Sequence, residues 1–304
     1  MNPFLSVAVV TYNHENYIEQ AIQSIFNQQI DFQLEVIIGN DCSTDQTRSI
    51  VEKLQAQHPG VIHLLNHSEN LGALKNMSLV LQTCQGKYIA ILDGDDYWTD
   101  PFKLQQQVAF LENHPEFVAC QHETEVVDTT GKFIRNILWE EAIPEIVNQK
   151  DLFHSSNLSQ TSTWMFRGEP IKNIPDFVKN CSYDRVLAFY LADFGAWGCI
   201  PGTLSAYRIH TTGMHSMQTH LTKTNQLIDI YQALTLSEHY RKLYGQELRS
   251  KLRFYYHEKA KIARIQKKWA HFFSAAQKSI HYTDTLKGKI VAILSYFRKN
   301  ETHD

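Results

Sequence analysis

The chain has 304 residues, 43% hydrophobic and 20% charged, a balance that excludes a disordered, collagen-like or disulfide-stapled protein. The net charge of −3 hides an asymmetry: Thr222 to the C terminus carries 16 Lys and Arg against 7 Asp and Glu, and the remainder 13 against 25. An acidic body with a basic tail predicts a tail that meets anionic lipid or nucleic acid.

In chain order, Leu5 to Val10 is an apolar run, a strand buried on both faces. Glu15 to Gln28 sets Tyr17, Ile18, Ala21, Ile22, Ile25 and Phe26 on one helical stripe. Val36 to Ile38 is a second strand, and the turn-rich Asn40 to Asp45 opens a helix through Ile50, Val51 and Leu54 that stops at His58-Pro59-Gly60. Val61 to Leu65 is a third strand, Ala73 to Thr83 a helix and Tyr88 to Leu92 a fourth strand. Repeated strand–helix units predict a mainly parallel sheet with helices on both faces. Beyond, Phe117 to Cys120, Glu125 to Val127 and Ser162 to Phe166 read as strands, and Tyr183 to Asp193 as a helix. After Leu221 strands vanish, and Leu227 to Leu236, Leu243 to Phe273 and Leu286 to Tyr296 read as helices.

The five cysteines, Cys42, Cys84, Cys120, Cys181 and Cys199, are odd in number and show no CxxC pair, which argues against a metal cluster or a disulfide framework and for a reducing compartment. The start, MNPFLSVAVV, lacks the basic region of a signal peptide, and no run reaches the roughly 18 apolar residues of a membrane span. A cytoplasmic protein is expected, with the inner membrane face as a candidate peripheral location.

Ligands of open parallel sheets bind at the carboxyl ends of the strands. Here those ends carry Thr11-Tyr12-Asn13, Asn40-Asp41 and Asp93-Gly94-Asp95-Asp96. Three carboxylates in four residues repel one another, and a hard divalent cation with phosphate oxygens relieves that repulsion; the competing reading is a solvated acidic turn. No GxGxxG follows a strand and no GxxxxGK[ST] occurs, which argues against dinucleotide oxidoreductases and P-loop enzymes.

Ser6 to Asn13, Asn40 to Asp45, Asn70-Leu71-Gly72 and Asp93 to Asp96 stand in an order and spacing that resemble the inverting glycosyltransferases of family 2. The resemblance is close over about the first 120 residues and reaches His210 loosely. It implies a GT-A fold, Rossmann-like, over residues 1–220, followed by a basic helical extension over 221–304. It also implies a nucleotide-diphosphate sugar donor, UDP-linked by expectation. Thr11, Tyr12 and Asn13 would line the base pocket, Asp41 would read the base and Glu15 would take part in nucleotide binding. Asn70, Gly72 and Lys75 would lie near the nucleotide, and Asp93 and Gly94 near the ribose. Asp95, helped by His210, would hold Mn²⁺ or Mg²⁺ on the diphosphate. Cys42 stands where the family usually has Gly. The inverting reaction needs a base on the acceptor side, and Asp184 in Ser182-Tyr183-Asp184-Arg185 matches that position. Without the resemblance, Asp184 reads as an ordinary helix-start acid.

For the acceptor, a saccharide or polyprenyl-linked oligosaccharide of a bacterial envelope, Trp164, Asp96 and Arg208 are candidates. Trp164 reads equally as a core aromatic, and His210 equally as a structural imidazole. The basic tail mixes cations with aromatics over Arg249 to Tyr256 and Arg264 to Trp269, as an amphipathic helix on an anionic membrane or a subunit contact would. No nucleic-acid module accompanies it, and nucleic acid is not an expected partner. The alternatives are a nucleotidyltransferase, or a noncatalytic module that binds sugar nucleotides or a membrane surface.

Overall fold

A computed structural model describes residues 4–137, 146–154, 160–181, 184–210, 219–283 and 288–289. The chain divides into two compact units, Met1–Thr211 and Thr212–Asp304, against the expected division after residue 220.

The first unit begins with β1 (Leu5–Thr11), α1 (Ile18–Phe26), β2 (Leu34–Asn40), α2 (Thr47–Gln57), β3 (Ile62–Asn66), α3 (Ala73–Thr83) and β4 (Tyr88–Asp93). These four strands run parallel in the order β3-β2-β1-β4. Every residue of β1 is buried, Ser6 and Thr11 included, as a mainly apolar run between two neighbours and two helical layers must be. Gly39 lets α3 close on β2: a Cβ there would stand 2.1 Å from Asn76 Oδ1 and 2.5 Å from Val80 Cγ2. Asn76 uses the approach to donate to the Gly39 carbonyl at 2.8 Å.

The rest of the unit comprises β5 (Tyr97–Trp98), α4 (Lys103–Asn113), β6 (Phe117–Val127), β7 (Phe133–Ile137), β8 (Ile146–Val147), α5 (Gln149–His154), a 3₁₀ turn (Thr161–Thr163), β9 (Met165–Arg167), a second 3₁₀ turn (Glu169–Asn173), α6 (Asp176–Lys179), α7 (Asp184–Leu191) and β10 (Ala196–Arg208). The sheet continues from β4 through β9, β6 and β10 to β5. β9 is antiparallel to both neighbours, whereas β6 and β10 pair in parallel, so this half is mixed.

Three sequence expectations change. Phe117 to Cys120 and Glu125 to Val127 belong to one strand, because the polar residues between them, Gln121 and His122, are buried as well. Ser162 to Phe166 is not one strand: its first part is the 3₁₀ turn, held by Trp98 Nε1 donating to the Ser162 carbonyl at 2.8 Å and Gln107 Nε2 donating to the Thr163 carbonyl at 2.8 Å. The helix expected from Leu243 to Phe273 is broken in the second unit.

That unit contains α8 (His220–Leu236), α9 (Glu238–Ile265) and α10 (Trp269–His281). The break between α9 and α10 is a Schellman closure: the Lys268 N–H donates to the Ala263 carbonyl at 2.9 Å and the Lys267 N–H to the Arg264 carbonyl at 3.0 Å, with Lys267 at φ 57°. α9 packs on both neighbours, with Tyr231 stacked on Tyr255 and Tyr256 on Tyr282. Leu252, Tyr256, Ala260 and Ala263 are buried, so α9 is the middle member of a helical unit and not a lone amphipathic helix. The helix expected over Leu286 to Tyr296 lies outside the described residues apart from 288–289. No helix among the described residues is long and apolar enough to cross a membrane.

Candidate active site

The parallel register brings three polar strand ends together. Thr11 pairs with Asn40, and Asp93 lies opposite Val10. The Asp41 N–H donates to the Thr11 carbonyl at 3.0 Å and the Gly94 N–H to the Val10 carbonyl at 2.9 Å, so the loops leave the sheet side by side. The β1 and β2 loops are zipped together. Asn13 donates through its N–H to Ser43 Oγ at 3.0 Å and accepts from the Thr44 N–H at 2.8 Å, while Glu15 accepts from the Gln46 N–H at 2.8 Å. Tyr12 remains 43% exposed. Cys42 has φ 59°, the left-handed region where a Cβ is strained and glycine is not, which explains the glycine usual at this point of the pattern.

Asp41 is 3% exposed, and its two oxygens accept from the Leu71 and Gly72 N–H groups at 2.7 and 2.9 Å. Asn70 joins the same loop, donating to the Asp41 carbonyl at 3.3 Å. Asp41 therefore couples the β2 edge to the loop before α3, and each of its oxygens keeps accepting capacity. Lys75 lies on the first turn of α3, exposed.

The acidic turn separates into three environments. Burial, followed by the charge of Asp95, pushes the Asp93 carboxyl up to about 7 against the opposing hydrogen bond from Thr161 Oγ1, 2.6 Å from its Oδ2. The charge of Asp184, on the first turn of α7, adds to the rise, which puts Asp184 within electrostatic reach of the turn. Burial also works to raise Asp95 but is outweighed by the His210 hydrogen bond and the two imidazoles beside it, so Asp95 is held below the usual range. His210 Nε2 lies 2.8 Å and His14 Nε2 3.6 Å from the same oxygen, Asp95 Oδ2. Asp96 is buried, and burial plus the neighbouring carboxylates push it well above the usual range.

His14, Asp95 and His210 present ligand atoms within 4.8 Å of one another. Their fit to a divalent cation is tested by what surrounds them. Burial pushes the His14 imidazole below its ordinary value, which favours the neutral form that ligates. Its Nδ1 and Thr11 Oγ1 are buried without a hydrogen-bond partner, and both crowd Gly94, where a Cβ would lie 3.0 and 2.9 Å from them. Gly94 thus keeps the space that lets His14 aim Nε2 at Asp95. One carboxylate and two imidazoles are a donor set for a divalent transition ion, softer than the all-oxygen set Mg²⁺ prefers.

Acceptor contact is corrected for three residues. Trp164 is 1% exposed and packs edge-to-face on Trp197 at 4.9 Å, which leaves no face for a sugar. Asp96 accepts the Arg208 N–H at 2.9 Å behind the turn. The Arg208 guanidinium donates to the carbonyls of Asp95, Asp128 and Thr129 and to Gln20 Oε1 at 2.7–3.2 Å, and lies 4.7 Å from the Tyr17 ring centre. It clamps the acidic turn and is not presented to a ligand.

Sequence reasoning missed His14 and Thr161. His14 had a signal, since it directly follows Thr11-Tyr12-Asn13 at a strand's carboxyl end. Thr161 had none: it meets Asp93 across 68 positions, through a turn that the distant Trp98 and Gln107 help to fix.

A parallel sheet extended by a mixed half, with helices on its faces and polar loops at the carboxyl ends of its parallel strands, is the arrangement of a GT-A fold. The glycosyl transferase family 2 model matches residues 6–174, and the chain belongs to that family. An uncharacterized protein of Mycobacterium tuberculosis (strain H37Rv) is 33% identical over 221 residues, 71% of this chain and 62% of that protein. The chain thus spans about three fifths of the length of its mycobacterial relatives. An uncharacterized glycosyltransferase of Haemophilus influenzae is 28% identical over 72% of this chain and 69% of its own. Among solved structures, Staphylococcus aureus TarS 1-349 in complex with UDP superposes with a TM-score of 0.62 at 20% identity, over 93% of this chain and 81% of that one. A mannosyltransferase of Pyrobaculum calidifontis in complex with GDP-Man and Mn²⁺ gives 0.59 at 17% identity, over 97% and 80%.

Proposed function

We propose that the chain is an inverting, metal-assisted glycosyltransferase that moves a sugar from a UDP-linked donor to a hydroxyl of a saccharide or lipid-linked oligosaccharide in cell-surface polysaccharide synthesis. The observation that carries it is the convergence of Thr11, Asp41, Asp93 and Asp95 on one edge of three parallel strands, with His14 and His210 against Asp95. Solved TarS complexes with UDP and UDP-GlcNAc support the donor class. A relative named for teichuronic acid biosynthesis supports the product class.

In this reading Tyr12 stacks on the base and Asp41 accepts from it, with Asn13, Glu15, Asn70 and Gly72 shaping the two loops and Lys75 near the phosphates. Asp93 accepts from a ribose hydroxyl. Asp95, His210 and His14 hold the divalent cation, which when bound neutralises charge on the leaving diphosphate. Asp184 takes the proton of the acceptor hydroxyl as its oxygen attacks the anomeric carbon. The bond from that carbon to the diphosphate breaks on the opposite face, its electron pair leaves with the nucleoside diphosphate, and the configuration inverts. The protein works on the cytoplasmic side, held peripherally at the membrane.

The test is a panel of UDP-, GDP-, dTDP- and CMP-sugars with Mn²⁺, followed by thermal stabilisation and slow donor hydrolysis. Asp184→Asn should keep the metal-dependent shift while transfer falls by about 10²-fold or more. Wild-type turnover in Asp184→Asn refutes the base assignment, and a binding-only outcome for the wild type supports the noncatalytic module.

A further inference from the structure

The basic character of the second unit is concentrated at one place. From Lys259 to Thr283 there is no Asp or Glu, while Lys259, Lys261, Arg264, Lys267, Lys268 and Lys278 supply six cations, of which Lys261 is paired with Glu258 at 2.8 Å and Lys267 and Lys268 lie on the α9–α10 turn. In the middle of this stretch lies the α9–α10 turn, where every residue from 265 to 271 is exposed. Ile265 is 78%, Trp269 55% and Phe273 60% exposed, three large apolar side chains around a single turn. Isolated apolar residues on a surface mean little, but three exposed ones about a single turn that also carries two exposed lysines mean more.

The turn is well built. Its Schellman bonds fix the backbone, and Phe272, 3% exposed, anchors the start of α10, with Trp269 edge-to-face on it at 5.9 Å. The position at φ 57° carries Lys267, where glycine would be less strained. The chain therefore holds a cation at the apex at some cost in stability. An aliphatic residue, a tryptophan and a phenylalanine with two apical lysines match the chemistry of the anionic lipid–water interface. The lysines meet lipid phosphates, and the apolar groups enter the headgroup–acyl boundary.

We propose that the α9–α10 turn is a lipid-contacting tip, in which Ile265, Trp269 and Phe273 insert into an anionic membrane and Lys267 and Lys268 pair with its headgroups. This deepens the peripheral location proposed above by naming the surface and its partner. It rests on that reading for its biological setting only, because the contact is measured without donor or acceptor.

The test is co-flotation of the full chain with vesicles of phosphatidylcholine containing 30% phosphatidylglycerol, against pure phosphatidylcholine, with thermal unfolding as the folding control. The expected result is binding to the anionic vesicles alone, released by 0.5 M salt, with a blue shift in tryptophan emission that is absent in Trp269→Phe. Lys267→Gln with Lys268→Gln should weaken binding about thirtyfold, taking roughly fivefold per basic residue near the surface. Ile265→Ser with Phe273→Ser should abolish the emission shift. Three results overturn the proposal: no binding by folded wild type, binding indifferent to these substitutions, or concentration-dependent self-association that the same substitutions remove, which would make the tip a contact between copies. Failure of the transfer reading with vesicle binding intact leaves the tip standing.

Discussion

The hydroxyl of Thr161 is the most informative perturbation of the proposed donor site. It lies 2.6 Å from a carboxylate that burial and Asp95 have already pushed up to about 7. A hydrogen bond to a charged group contributes about 1.5–3 kcal/mol. At 1.36 kcal/mol per pKa unit, removing it raises Asp93 by roughly one to two units. The sign follows from the chemistry: Thr161 stabilises the ionised form, so Thr161→Val, which keeps shape and loses the donor, favours the protonated acid. Only the ionised carboxylate accepts from a ribose hydroxyl with full strength. The acid limb of donor affinity should therefore move up by roughly one to two pH units, with affinity at pH 7 reduced about 5–50-fold and recovered at alkaline pH. The assay is donor affinity by calorimetry from pH 5.5 to 9.5 on wild type, Thr161→Val and Thr161→Ser, the last retaining the hydroxyl and the wild-type limb. An unmoved limb in Thr161→Val, or a loss equal at every pH, refutes the reasoning.

Burial pushes His122 down to about 3, so the folded state excludes a proton that the unfolded state binds near its ordinary value. Stability then declines as pH falls through about 6.5 and continues to decline to about 3, by about 2 kcal/mol between pH 7 and 5. Urea titrations of His122→Gln should show that much less acid sensitivity, and an unchanged pH slope would show His122 to be protonated in the fold. Lys103 is fully buried, its Nζ has no hydrogen-bond partner, and burial pushes it well below its ordinary value. Lys103→Met should raise unfolding stability by about 1–2 kcal/mol, and a loss would reveal a stabilising role for the amine, which sits 3.8 Å over the Trp98 ring. Gly94→Ala forces a methyl against Thr11 and His14; it should cost about 1–3 kcal/mol in thermal unfolding and abolish the Mn²⁺-dependent shift, whereas a retained shift would remove His14 from the proposed metal set.

The parallel half of the fold is legible in residue order. Leu5 to Val10, interrupted only by Ser6, Val36 to Ile38 and Tyr88 to Leu92 are apolar runs, and runs of that kind fit strands covered on both faces. Their polar ends then share one edge, because parallel strands place like ends together. For that reason Thr11, Asp41 and Asp93 can be read as neighbours from the sequence. The second half is not legible in the same way. β10 spans Ala196–Arg208 and carries Gly198, Pro201 and Gly202, which read locally as turn, and it is a strand because β6 pairs with it through a series of register shifts. Residue type also leaves Trp164, Asp96 and Arg208 as available to a ligand as Tyr12. Packing settles which face of an indole is covered and which donors a guanidinium has already committed, and it commits all three to the interior. In the tail, composition announces cations and aromatics together. Tertiary packing divides them, folding Tyr255 and Tyr256 against neighbouring helices, leaving Phe254 on the open side of α9 and Ile265, Trp269 and Phe273 outside around its end, since only one stripe of a helix of period 3.6 meets its neighbours.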